Sequence, residues 1–197
     1  MTPTRLVLAS RSGARVRVLQ SAGFDPEVVI SGVSEDISFD STESLVLELA
    51  ERKARAVALQ CPDSLVLGCD SMLEVDGTAR GKPTDESDAI EMWHSQSGRS
   101  GILITGHCLI DTNQDRQSSA VARTLVHFDR PDEHELRAYV SSGEPLRVAG
   151  AFTLEGRGGA FVRGVEGDPN NVLGLSLGVF RSLLKDLGHR LEDLWTT

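Results

Sequence analysis

The stretch SLVLELAERKARAVALQCPDSLVLGCD, residues 44–70, decides how the rest of the chain is read. Placed at 100° per residue, Val46, Leu49, Ala50, Ala54, Val57 and Ala58 fall in one sector, which predicts an amphipathic helix over 44–60. Cys61-Pro62 stops it, because proline lacks the N–H and the torsional freedom a helix interior needs. Residues 64–69 are short and apolar, the pattern of a strand buried on both faces. A helix leading into a buried strand is one step of an alternating, sheet-centred chain.

Working outward, residues 5–10 read as a second buried strand and 12–22 as a short helix closed by Gly23. Residues 27–31 read as a strand. Residues 72–75 read as one running into an Asp76-Gly77 turn, so that Asp70-Ser71 falls at a strand end, where open α/β sheets place ligands. A helix is expected over 85–96 and another over 131–142. Two long strands are expected at 101–111 and 120–128 around a polar loop, 112–119. Residues 152–155 and 160–165 flank the glycine turn Gly156-Arg-Gly-Gly159, and 170–187 ends in a helix capped by Gly188. The expected fold class is therefore α/β (α+β) with a mixed β-sheet and flanking helices. Residues 1–197 form a single domain with no internal repeat and no separable linker.

The chain has 197 residues, 40% hydrophobic and 25% charged, within the globular range. Its formal net charge of −9 excludes a general binder of nucleic acid polymer, whose affinity comes from neutralised phosphates. No apolar run approaches membrane-spanning length, and the first residues read as a strand rather than a signal peptide. Cys61, Cys69 and Cys108 have neither disulfide nor zinc spacing, so a reducing cytoplasm is the expected setting.

Some charges stand where the helical pattern calls for apolar residues. Lys53 lies in the middle of the buried stripe of 44–60, while Arg52 and Arg55 point away. Either its stem packs and its ammonium reaches water, or the ammonium ends in a polar cleft against an anion. Arg15 repeats the pattern: it shares a sector with Val18, Leu19 and Ala22, whereas Arg17 points outward. Arg15 also lies in a first helical turn, beside Ser10 and Ser12. That turn is a phosphate seat, or one serine there is an ordinary N-cap. Gly77-Thr-Ala-Arg-Gly-Lys-Pro83 falls one residue short of a Walker A loop and has Pro83 in place of the metal-binding hydroxyl, yet it sets Lys82 between glycine and proline. Glu35-Asp36 is a metal-ligand pair or solvated surface. The five histidines show no metal spacing, and His107 and Cys108 read as core.

Seven segments together resemble the Maf family of nucleoside triphosphate pyrophosphatases, in its actinobacterial branch. They are Leu8-Ala-Ser-Arg-Ser-Gly-Ala-Arg15, Glu51-Arg-Lys-Ala54, Leu67-Gly-Cys-Asp-Ser71, Gly81-Lys-Pro83, Ser97-Gly-Arg99 with Thr105-Gly106, Gly143-Glu-Pro145 with Ala149-Gly-Ala-Phe152, and Gly167-Asp-Pro-Asn-Asn-Val-Leu-Gly-Leu175. The resemblance implies a strongly twisted sheet in two lobes around a central cleft, as in inosine-triphosphatase-like enzymes. It implies hydrolysis of a nucleoside triphosphate, modified nucleotides among the candidates, to monophosphate and pyrophosphate with Mg²⁺ or Mn²⁺. It further implies a homodimer. The same resemblance offers one alternative, a nucleotide-sensing regulator of cell division without turnover.

Position by position, Asp70 matches the catalytic acid and a metal ligand, and Glu35 the second acid near the metal. Ser10, Arg15, Lys53 and Lys82 match phosphate-contacting residues. Arg15, Ser71 and Glu155 match positions that vary with base preference. The chain departs from the family in three places: Ser12-Gly-Ala-Arg15 replaces Ser-Pro-Arg-Arg, Ser71 replaces threonine, and Glu155 replaces the glutamine of the pyrimidine-preferring branch.

Overall fold

The computed structural model describes residues 5–37 and 39–196; Met1–Thr4, ahead of the expected first strand, lie outside the described residues. The elements alternate along the chain: β1 (Arg5–Leu8), α1 (Gly13–Ser21), β2 (Glu27–Val28), α2 (Thr42–Ala58), β3 (Ser64–Val75), β4 (Thr78–Arg80), α3 (Glu86–Gln96), β5 (Ser100–Asp111), β6 (Arg116–Phe128), α4 (Glu133–Ser141), β7 (Val162–Gly167), α5 (Pro169–Val172) and α6 (Leu177–Asp186). The described strands form one seven-stranded sheet in the order β2-β1-β3-β5-β6-β7, with β4 paired to β3. The sheet is mixed, as expected: β1 is parallel to β2 and β3, while β3–β4 and β6–β7 are antiparallel.

The chain divides into two compact units. One takes in the residues up to Asp70, 105–122 and those from Gly174 on; the other takes in 71–104 and 123–173. In the first, Val7, Ala9 and Val66 pack with Val57 and Cys61, and Ala50 and Ala54 pack on Cys108. Phe24 meets Phe180 edge to face at 5.5 Å. In the second, Trp93 is the centre. Its ring meets Phe128, Tyr139 and Phe161 edge to face at 5.7–5.9 Å, and its Nε1 donates to Ala151 O at 2.7 Å. A buried indole needs that acceptor as much as it needs the rings.

In the first unit α2 lies directly on bare backbone. A Cβ at Gly68 of β3 would run into the Ala50 carbonyl and Ala54, and one at Gly106 of β5 into the Val46 carbonyl. Two glycines on neighbouring strands thus let the helix sink onto the sheet. Strand residues two apart share a face, so Asp70 points to the same side as Gly68.

Several expected elements differ. Strand β3 does not break at Asp70-Ser71; it runs unbroken to Val75, and Asp70 lies inside it. The strand is held by β1 on its first half and by β4 on its last, which overrides the turn preference of Asp-Ser. Strand β6 begins at Arg116, so the 112–119 loop shrinks to a short turn. Of 27–31 only Glu27–Val28 pair. The glycine turn Gly156-Arg-Gly-Gly159 is taken up by a 3₁₀ turn, Arg157–Phe161, that precedes β7. The terminal helix is two: Gly174 (φ +92°) ends the first piece, and Ser176 caps α6 by accepting from the Val179 N–H.

Candidate functional site

Helix α2 supplies the first piece. Val46, Leu49, Ala50, Ala54 and Val57 are buried, and Lys53 is buried among them. Its stem lies along the apolar face, but its ammonium does not reach for bulk water. Lys53 Nζ donates to Glu35 Oε1 at 2.5 Å and to Asp70 Oδ1 at 2.6 Å. The Lys53 and Asp70 side chains are only 10% and 9% exposed, whereas that of Glu35 is 44% exposed. Buried charges persist only when paired in this way.

Helix α1 supplies the second piece. Arg15 is buried and Arg17 exposed, as the helical pattern requires. The guanidinium is a tie: Nε donates to Gly174 O at 2.7 Å, and Nη1 donates to Cys69 O at 2.8 Å and Ser10 Oγ at 3.0 Å. Ser12 is the N-cap of α1, accepting from the Arg15 N–H. Ser10, at the end of β1, accepts from the Ser12 N–H and from Arg15. A hydroxyl accepts twice and donates once, so the Ser10 O–H proton is left to donate. Ser10 and Arg15 thus form one set of contacts and Glu35, Lys53 and Asp70 another, and the two meet along β3, where Arg15 holds the Cys69 carbonyl next to Asp70. Burial pushes the Cys69 thiol up to about 12, so the sulfur beside Asp70 stays protonated and is no nucleophile.

Ser71, Lys82 and Glu155 belong to the second unit. Ser71 is half-buried in β3. Lys82 is exposed and makes no hydrogen bond or ion pair among the described residues; the backbone before it is pinned where the Gly150 N–H donates to Gly81 O at 2.9 Å. Glu155 is exposed and precedes the Arg157–Phe161 turn.

Sequence reasoning missed Glu144, the carboxylate that shapes this turn. It accepts from Thr153 Oγ1 at 2.5 Å and from the N–H groups of Gly158 at 3.0 Å and Arg157 at 3.2 Å. Burial pushes its carboxyl up, but those donors outweigh burial and hold it below the ordinary glutamate value. The signal was present: Gly143-Glu-Pro145 is one of the family-like segments, and at Gly156 (φ +88°) a Cβ would stand 3.0 Å from that carboxylate, tighter than ordinary contact. His107 is core, as read: Ser176 N–H donates to its Nε2 at 2.9 Å.

Among the described residues no cluster of three or more His, Cys, Asp or Glu is disposed to hold a metal. The Glu35 and Asp70 carboxylates nevertheless converge on one cationic atom, Lys53 Nζ. Two carboxylates completed by substrate oxygens are what Mg²⁺ takes, so this donor set fits a hard divalent cation. No described helix is long and apolar enough to cross a membrane.

Residues 5–187 match the family described as Maf-like protein. A nucleoside triphosphate pyrophosphatase of Streptomyces avermitilis is 51% identical over 195 residues, 98% of this chain and 95% of its own length. One from a Synechocystis species is 47% identical over 194 residues, 98% of this chain and 100% of its own. A third, from Streptomyces coelicolor, is 50% identical over 201 residues, 99% of this chain and 98% of its own. A match spanning nearly every element described above, with relatives of the same length at half identity, places the chain in the Maf family.

Proposed function

We propose that the protein is a nucleoside triphosphate pyrophosphatase, releasing a nucleoside monophosphate and pyrophosphate. The observation that carries this reading is the Glu35–Lys53–Asp70 cluster: two convergent acids and a cation, with Asp70 almost fully buried. The pyrophosphatases of near-equal length and half identity support the same activity.

In this reading Asp70 orients the attacking water and takes its proton as it adds to the α-phosphorus, and pyrophosphate leaves. Ser10 donates its remaining proton to a phosphate oxygen. Lys53 and Lys82 offset the charge of the triphosphate, and Arg15 adds positive potential while holding the backbone beside Asp70. Glu35 and Asp70 would hold a divalent cation, which would supply Lewis-acid polarisation of the phosphoryl oxygens. Residues 71 and 155 bear on base preference. A sensor without turnover is disfavoured, since a buried carboxylate beside a polyphosphate only repels it unless it works on water or a metal.

The test is product analysis over a panel of nucleoside triphosphates with Mg²⁺ or Mn²⁺. Equal amounts of monophosphate and pyrophosphate are expected. Orthophosphate and diphosphate products, or binding without turnover, overturn the reading.

A further inference from the structure

Lys53 stands at the point where the two acids converge. Its Nζ lies 2.5 Å from Glu35 Oε1 and 2.6 Å from Asp70 Oδ1, and all three residues belong to one unit. A position that two carboxylates address from hydrogen-bond distance is a cation position, and the chain's own ammonium fills it. The three side chains carry two negative charges and one positive, and the Lys53 and Asp70 side chains are nearly buried. A divalent cation between the same carboxylates would bring the pair to neutrality, but an ammonium at contact distance would then repel it. In surroundings of low dielectric that repulsion is several times stronger than in water.

We propose that Lys53 is an exchangeable counter-ion. Ammonium and metal compete for the Glu35 and Asp70 carboxylates, and an arriving triphosphate resolves the competition by taking the ammonium onto its own oxygens. This deepens the reading above and rests on its assignment of Glu35 and Asp70 to a divalent cation. The rest of Lys53 favours such a swing. Its position on α2 falls between buried Leu49 and Val57, one turn to either side, and its partner Glu35 is the exposed one of the two acids. Thus Lys53 holds metal affinity down in the nucleotide-free protein and keeps the two carboxylates from repelling each other while they wait. Its two roles alternate rather than coincide.

The experiment titrates Mn²⁺ alone into nucleotide-free protein, read by calorimetry and by the electron-spin signal of free Mn²⁺. Lys53→Met and Lys53→Gln are compared with wild type, each first shown to be folded by circular dichroism; the glutamine variant decides if methionine leaves the acids too poorly matched to fold. Glu35→Gln is the control. Both lysine variants should bind Mn²⁺ at least about tenfold more tightly than wild type, about 1.4 kcal/mol, while Glu35→Gln binds more weakly. Unchanged or weaker Mn²⁺ binding in the folded lysine variants, with Glu35→Gln still weakened, overturns the exchange but leaves the metal assignment standing. Absence of Mn²⁺ binding in every form overturns both. Because no nucleotide is present, neither outcome depends on turnover.

Discussion

Arg15 Nη1 lies 2.8 Å from the carbonyl oxygen of Cys69, so a buried guanidinium pins β3 one residue ahead of Asp70. The same side chain holds Ser10 and the Gly174 carbonyl, and so ties three separate segments to one planar group. A planar fork with fixed donor directions suits this; a lysine ammonium does not.

Arg15→Met therefore takes a donor from two buried carbonyls, at a cost of roughly 1–3 kcal/mol for each group left unsatisfied, while Ser10 keeps the Ser12 N–H. Urea denaturation should show a loss of about 2 kcal/mol or more, with Arg15→Lys recovering only part of it. Arg17→Met, on the exposed face of α1, should stay within about 0.5 kcal/mol of wild type.

Asp70→Asn preserves size and one acceptor for Lys53 while removing the base. Pyrophosphate release should fall at least about 10²-fold, with thermal unfolding still cooperative. Near-normal turnover would remove Asp70 from the chemistry.

Gly68→Ala and Gly106→Ala should each destabilise by about 1–3 kcal/mol, because the added methyl meets helix backbone that cannot move aside. Lys53 would also be lifted away from Asp70, so activity should fall along with stability. Gly164→Ala in β7 meets nothing within 4 Å and should leave both unchanged.

Glu144 makes stability pH-dependent in one direction. Its folded-state carboxyl lies below the ordinary glutamate value, so its stabilisation is complete above that value and is lost as pH falls through the folded one. The stability difference between wild type and Glu144→Gln should be constant above about pH 5 and shrink steadily below about pH 4. Amide exchange at Arg157 and Gly158 should quicken in the variant.

Glu155→Gln should shift kcat/KM toward uridine triphosphate. Ionised glutamate only accepts, and the carbonyls of uracil repel it, whereas an amide donates to them. Unchanged ratios over uridine, thymidine, cytidine and guanosine triphosphates would show that residue 155 does not read the base.

The sequence by itself determined where the main helices and long strands fall and which charges are oddly placed. A periodic helix puts Lys53 and Arg15 on buried faces whatever surrounds them, and both are buried. The family-like segments likewise settled membership, because their order survives without any coordinates. Only tertiary structure decided what those charges meet. Glu35 and Asp70 stand 18 and 17 positions from Lys53, and Gly174 stands 159 from Arg15. No periodicity encodes such separations. Asp70-Ser71 reads as a turn locally and becomes strand because β1 and β4 pair with β3 on either side of it. Glu144 reads as one acid among many until the chain folds three donors around it. Propensity acts over a few neighbouring residues, whereas pairing and burial act between segments that only the folded chain brings together.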